Sequence, residues 1–551
     1  MLAGSTVATG TPEHGVPTRD GRLAPVRRRV DSFQLGVGAI TAGLAGFLLL
    51  RLHALPPHED ETLAFFVSRG PLGDVVETVL GERGGAPLHY LLAHAVGRID
   101  PGLTGLRLVS VAFAVASMPV VAALAARLTD RWTALCATLL TAVSWTTLYH
   151  GIYARMYSLF LFTSALSLLL LLRALERGTR GRWALWAAAT LALLATQPYG
   201  VLVLAAEGAF FALVRLRRPV PLRAPLVALA AVVVLAGPLW RTYFLLASRF
   251  EVGLGAGSGS ELGSPLDVVE YLWEVLGDFT AGWLAVSVPV ALVALLGFVV
   301  LARTRRESAL LMGATVVVTL IALVAARSGA GASLETRHLI FLLPFFATAF
   351  AVGLLRIARL AGRAAPVVAV ASLGLVLAAQ VAWGLERTRW LYTGEPEARA
   401  AARAEAAEWL AATGRADDVL LGYEPTYLDA WEKGAPFGDL FVPRADPTLS
   451  VQALEDAGEP LGRGTWVLDA SDELDQDRVR LTIPERPPGS AFETEAFGPF
   501  LVLRTREPVG TVEDFLEATI RVQELAVELE IGDAGRNLLT AEEALEDLRA
   551  G

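Results

Sequence analysis

Three consecutive carboxylates, Glu59-Asp60-Glu61, lie in the run Pro56 to Leu63, directly after the first apolar stretch of membrane length, Phe33 to Leu55. Carboxylates at the mouth of a hydrophobic span are costly near lipid unless they face water, a cation or a substrate. Two adjacent carboxylates can divide the labour of proton transfer: one is the general base, and the other orients it, holds a cation or binds a hydroxyl. Asp60 and Glu61 are therefore the catalytic candidates. Residue type alone leaves Asp60 a plainer role, the N-cap of a helix beginning at Glu61-Thr62-Leu63.

Those carboxylates must be positioned by a membrane scaffold. At 551 residues the chain is too long for one core, and 54% hydrophobic residues with a mean hydropathy of +0.49 exceed what a soluble enzyme carries. Apolar runs near 33 to 55, 106 to 127, 132 to 149, 155 to 175, 183 to 197, 199 to 214, 225 to 246, 283 to 302, 308 to 326, 338 to 356 and 364 to 384 predict about eleven transmembrane helices. The pair flanking Pro198 is short enough to be kinked or re-entrant. Every second connection is rich in arginine: Arg127 and Arg131; Arg177, Arg180 and Arg182; Arg215, Arg217, Arg218 and Arg223; Arg303, Arg305 and Arg306; Arg356, Arg359 and Arg363. By the positive-inside rule these loops are cytoplasmic, as is the polar, Pro/Gly-rich tail 1 to 32 ending in Arg27-Arg28-Arg29. The segment 56 to 105, the Gly/Ser stretch Gly253 to Gly263 with the amphipathic Pro265 to Leu276 behind it, and the turn Glu335-Thr336-Arg337-His338 then face outward.

An odd number of spans puts residues 391 to 551 outside, as a soluble domain following a membrane domain of residues 33 to 390. Glu397 to Ala412 and Val512 to Leu529 read as helices, and Asp418 to Gly422, Thr465 to Leu468 and Phe500 to Arg504 as strands, which makes the domain α/β. The formal charge of -9 gathers no basic field and argues against nucleic acid as a partner. A single cysteine, Cys136, excludes an internal disulfide framework or a cysteine-rich metal site. One lysine, Lys433, beside abundant Ala, Arg, Gly, Leu and Val reads as GC-rich coding bias of the actinobacterial kind.

Several short motifs follow the dyad in order: Ala86-Pro87-Leu88-His89-Tyr90, Leu106-Arg107-Leu108-Val109-Ser110, Ala154-Arg155-Met156-Tyr157-Ser158-Leu159, Gln197-Pro198-Tyr199-Gly200, and Arg337-His338 before Leu339 to Pro344. With Asp60-Glu61-Thr62-Leu63 this order resembles the layout of GT-C glycosyltransferases that use polyprenyl-phosphate sugars, the group including protein O-mannosyltransferases and lipid A aminoarabinose transferases. The resemblance spans roughly residues 33 to 360. The chain departs from that pattern where Tyr153 stands for a Glu before Ala-Arg and Gln197 for a His.

The resemblance implies a mannose- or arabinose-type sugar passed from a polyprenyl-phosphate donor to a cell-envelope glycan, lipid or protein. Asp60 would be the base beside Glu61. Arg155, Arg337 and His338 would hold the donor phosphate, since a guanidinium grips phosphate through a planar fork; snorkelling to headgroups is the plainer role of such terminal arginines. His58, His89, Tyr90, His150, Tyr153, Tyr157, Gln197 and Tyr199 would line the substrate site, although the tyrosines also suit an interfacial belt. No cofactor is implied with certainty, and a divalent metal stays open, with His150 as a ligand or hydrogen-bond donor. Two other functions share these features: a lipid-linked-sugar transporter or flippase, which would carry two related halves and mid-span charges, and a catalytically inactive scaffold of the same fold.

Overall fold

The computed structural model describes residues 31–83, 87–251, 264–326, 335–438, 440–444, 447–470, 482–532 and 534–550. The tail before residue 31, Gly84 to Ala86 and the Gly/Ser stretch lie outside the described residues. The chain is an α-helical multi-pass membrane protein with a C-terminal α/β domain. Among the described residues six helical stretches are long and apolar enough to cross a bilayer: Ser32–Leu50, Leu103–Leu128, Tyr157–Arg177, Leu284–Thr304, Arg306–Ala325 and Thr336–Arg387. The pair Arg223–Leu235 and Gly237–Leu245, bent by 53°, makes a seventh if taken as one broken span. Thr336–Arg387 turns at Gly362, where φ is 56°, into the separate helices Leu343–Ala358 and Ala365–Arg387. The remaining apolar runs form shorter helices: Arg131–Val143 and Trp145–Ile152, divided at Ser144, and Arg180–Thr196 and Gly200–Arg217 on either side of Pro198.

Helix packing inside a bilayer draws little from the hydrophobic effect and depends on close approach of backbones at small residues. Leu284–Thr304 and Leu343–Ala358 cross in this way: a Cβ on Gly297 would lie 1.8 Å from the Ala349 carbonyl oxygen, and one on Gly353 would lie 1.9 Å from that of Val293. Gly353→Val must force the two backbones apart. Thermal unfolding in detergent should show it destabilised by at least the ~1–3 kcal/mol typical of overpacking, and an unchanged melting temperature would mean that the crossing contributes nothing.

The segment 56–105 folds largely into the amphipathic outer-loop helices that the resemblance implies: Glu59–Arg69, Leu72–Glu77 and Pro87–Gly97. Among the described residues the C-terminal domain holds a five-stranded sheet in the order β2-β1-β3-β5-β4, with β1 Val419–Leu421, β2 Phe441–Val442, β3 Gly464–Asp469, β4 Phe492–Phe497 and β5 Phe500–Thr505. β2, β1 and β3 are parallel, and β3, β5 and β4 are antiparallel. Alternation along the strands fills two cores. Val419, Leu421, Trp466, Leu468, Leu501 and Leu503 meet the helices Val512–Glu528 and Ala534–Ala550, whereas Leu420, Val467, Phe500 and Val502 meet Glu397–Thr413. Three of these strands match the expected ones; β2 is only two residues long and β4 carries polar residues, so neither shows an apolar pattern.

The second core also receives Leu63 and Phe66 from the helix Glu59–Arg69, with Phe66 4.2 Å from Phe441 between ring centroids. Arg69 lies over Trp431 at 4.1 Å. Gly422, at φ 72°, turns the chain after β1, and the next amide, Tyr423, donates to the Glu59 carboxylate at 3.5 Å, while Arg444, just past β2, reaches the same carboxylate through Nη2 at 2.5 Å. The C-terminal domain is thus seated on the helix that begins with the acidic cluster.

Candidate active site

The helix Glu59–Arg69 starts two residues earlier than the reading that made Asp60 its cap, and its N-cap is His58. His58 Nδ1 accepts the Asp60 amide at 3.1 Å, while the Glu61 side chain accepts the His58 amide at 3.1 Å, a reciprocal box. The capping role that competed for Asp60 is therefore filled by its neighbour.

Successive residues on a helix point about 100° apart, so Asp60 and Glu61 enter different surroundings. Glu61 turns inward, its side chain 1% exposed, and takes a two-pronged bond from Arg107, Nε to Oε1 at 3.0 Å and Nη2 to Oε2 at 2.7 Å. Its Oε1 also accepts the Ala154 amide at 2.7 Å. Arg107 spends its other donors on the carbonyls of Leu52, Leu55 and Pro56 at 2.9, 3.0 and 3.0 Å. One buried ion pair thus ties together the end of the first helix, the start of Leu103–Leu128 and the turn before Tyr157. A carboxylate so enclosed has no face left for a substrate. Glu61 is placed to fix the position of Asp60.

Asp60 points the other way, with its side chain 24% exposed. The Tyr153 hydroxyl donates to its Oδ2 at 2.7 Å and lies 3.0 Å from His58 Nδ1. Arg155 Nη2 stands 3.6 Å from Oδ1 and Arg337 Nη1 3.4 Å from Oδ2. Burial works to raise the pKa of Asp60, but the charges of Arg155 and Arg337, with His58 and the Tyr153 hydrogen bond, outweigh it and hold the carboxyl well below its usual range. Burial and then the charge of Asp60 push the Tyr153 phenol well above its ordinary value, so it remains a proton donor.

The two guanidiniums are themselves enclosed. Arg155 also donates to the Asp60 carbonyl at 3.3 Å and the Tyr90 hydroxyl at 3.4 Å. Arg337 lies 5.0 Å over the Tyr157 ring and pairs with Glu335. Each keeps a buried Nε–H without a hydrogen-bond partner among the described residues. His338 stacks on Tyr199 at 4.7 Å and 15°, while its Nδ1 accepts the Glu335 amide at 3.2 Å. His89 is buried beside Tyr90, and burial together with the Arg155 charge lowers its pKa to about 3, so it is neutral. His150 packs against Tyr157 at 4.8 Å. His89 Nε2 and His150 Nδ1 both lack a partner among the described residues. Gln197 is buried at the turn before Tyr199, and no hydrogen bond joins its side chain to Asp60 or to either arginine among the described residues.

The partly exposed carboxylates beside the two guanidiniums, Asp60 between them and Glu335 on Arg337, are already engaged by arginine, which makes a poor oxygen donor set for a divalent cation. Among the described residues no group of three or more His, Cys, Asp or Glu side chains is arranged to hold a metal. An anion suits the two arginines better. Composition gave no sign that Arg107 would be the partner of Glu61, or that Tyr271 and Asp278 would reach the turn carrying Arg337. Arg107 follows Leu106 at the edge of an apolar run, a place where arginines usually snorkel.

Comparison with known proteins agrees with this architecture. Residues 85–240 match the family model described as dolichyl-phosphate-mannose-protein mannosyltransferase. The structure of ArnT from Cupriavidus metallidurans in the apo state superposes with a TM-score of 0.53 at 15% identity, covering 85% of this chain and 97% of that one. ArnT bound to undecaprenyl phosphate gives 0.50 at 13% identity over 86% and 98% of the two chains. The oligosaccharyltransferase of Archaeoglobus fulgidus, with Zn and sulfate, gives 0.46 at 12% identity over 78% and 67%. No curated protein matches the sequence. The chain has the GT-C glycosyltransferase fold.

Proposed function

We propose that this GT-C-fold protein is an inverting glycosyltransferase that moves a sugar, of the mannose or arabinose type, from a polyprenyl-phosphate donor to a hydroxyl of a cell-envelope glycan, lipid or protein. Its site and C-terminal domain would face the outside of the cytoplasmic membrane, as the arginine-rich alternate loops favour. Support comes above all from Arg155 and Arg337 converging within 3.6 Å on Asp60 while each retains a buried Nε–H without a partner among the described residues. The undecaprenyl phosphate bound to ArnT and the family description over residues 85–240 point to the same class of donor.

In this reaction the acceptor oxygen attacks the anomeric carbon from the face opposite the phosphate. Its proton passes to Asp60, the new C–O bond forms as the bond to the phosphate oxygen breaks, and the electron pair leaves on the lipid phosphate. Arg155 and Arg337 stabilise that growing charge. The same two arginines hold Asp60 strongly acidic while the site lacks donor, which makes it a weak base. A donor phosphate shares their charge, and the proton affinity of Asp60 rises when it is needed.

The test is transfer by the purified protein in nanodiscs from polyprenyl-phosphate mannose or arabinose to envelope fractions, with binding of polyprenyl phosphate measured alongside. Arg155→Ala should weaken phosphate binding by about ten- to hundred-fold, the value of a lost hydrogen bond to a charged group. Arg155→Lys should recover part of that loss, because the charge remains and the fork does not. Wild-type affinity in Arg155→Ala would remove Arg155 from the donor site, and failure to consume either donor would remove the proposed activity.

A further inference from the structure

The amphipathic helix Pro265–Phe279 begins with a capping box of Ser264 and Asp267. It buries Val268, Tyr271, Val275 and Phe279 along one stripe, while Leu266 and Val269 are exposed on the other. Two polar side chains are buried with the apolar ones. The Tyr271 hydroxyl donates to the Glu335 carbonyl at 3.0 Å, and Asp278 Oδ2 accepts the Thr336 hydroxyl at 2.5 Å. Tyr271 and Asp278 are seven residues apart, two helical turns, and so share a face. Between them they hold the two residues that immediately precede Arg337.

The helix is anchored independently of that turn. The Asp278 carbonyl accepts the Ser144 and Thr146 hydroxyls at 3.1 and 3.0 Å, at the break between Arg131–Val143 and Trp145–Ile152. Asp278 Oδ1 faces Trp383 Nε1 and Arg387 Nε, both at 3.4 Å, and Gln380 Nε2 donates to the Phe279 carbonyl at 2.9 Å on the same last helix. A buried carboxylate costs several kcal/mol unless it is fully engaged, and packing an amphipathic helix requires none. The engagement of Asp278 joins two membrane helices to one residue, Thr336, next to the arginine that pairs with Glu335 through Nη2 and faces Asp60 through Nη1 at 3.4 Å.

We propose that Tyr271 and Asp278 are positioning residues for Arg337, the helix Pro265–Phe279 serving as a splint that aims its guanidinium at the donor phosphate. This rests on the role given to Arg337 above, and the experiment separates the two. The affinity of the full-length protein for undecaprenyl phosphate is measured in nanodiscs for Tyr271→Phe and Asp278→Asn, each alone and combined with Arg337→Ala. Tyr271→Phe removes one hydrogen bond and leaves the packing, so thermal unfolding should change little. Each substitution should weaken binding about three- to ten-fold, the range of one hydrogen bond, and should have no further effect once Arg337 is alanine, the non-additivity expected of residues acting through one another. Unchanged affinity in Tyr271→Phe, or equal losses with and without Arg337, would overturn the positioning role alone. An Arg337→Ala protein that binds undecaprenyl phosphate as the wild type does would overturn the phosphate role of Arg337 and the splint with it. Should Asp278→Asn fail to fold, the Tyr271→Phe pair decides.

Discussion

Asp60→Asn is expected to express, fold and bind polyprenyl phosphate, and to lose about 10² to 10⁴ in transfer rate, the usual contribution of a general base. Asparagine preserves the shape and can still accept the Tyr153 hydrogen bond, but it cannot take a proton. No cap is lost, because His58 caps the helix. Phosphate binding should be as tight as in the wild type or tighter, since the variant removes the anion that competes for Arg155 and Arg337. Near-normal transfer by a stable Asp60→Asn protein would move the base elsewhere. The pH profile gives a second check. A depressed pKa means that the charged form stabilises the fold above the ordinary aspartate value near about 4, and that this stabilisation is lost only as pH falls through the lower, folded value. In the free enzyme Asp60 should therefore add no acid limb to kcat/KM at mildly acidic pH. With donor phosphate on the arginines the limb in kcat should move upward, because kcat reports the occupied site. An acid limb at the same pH in both profiles would mean that phosphate does not share the charge of the arginines.

Glu61→Gln should fail for a different reason. It removes one member of a buried ion pair and leaves Arg107 charged among the carbonyls of Leu52, Leu55 and Pro56, a loss of the order of 3–5 kcal/mol. Thermal unfolding and yield should fall together with activity. Arg107→Met should fall similarly, while joining it with Glu61→Leu should cost less than the sum of the two single changes, because the charges disappear together. The pair would remain below wild type, since the three carbonyls lose their donor. A Glu61→Gln protein of wild-type stability that binds donor and does not transfer would return Glu61 to the chemistry and end its structural assignment.

Much of the scaffold is legible in the order of residues. A membrane helix must satisfy its own backbone and present apolar side chains all round, so runs such as 106 to 127 and 155 to 175 announce themselves, and both are helices in the structure. Buried strands that need both faces covered read as short apolar runs, which is why β1, β3 and β5 were visible and the two-residue β2 was not. The acidic cluster also announced itself, because three carboxylates beside a span are hard to explain as packing.

The division of labour inside that cluster is a tertiary fact. Asp60 and Glu61 are chemically alike and adjacent, and their difference arises from which neighbours the helix face meets. Glu61 meets Arg107, 46 residues on, and the Ala154 amide, 93 residues on. Asp60 meets Arg155 and Arg337, from turns at the ends of two further helices. Local pattern carries the periodicity of one element and nothing about the direction from which another approaches. The fields that make one carboxylate strongly acidic and reachable, and seal the next into an ion pair, exist only once distant segments have packed together.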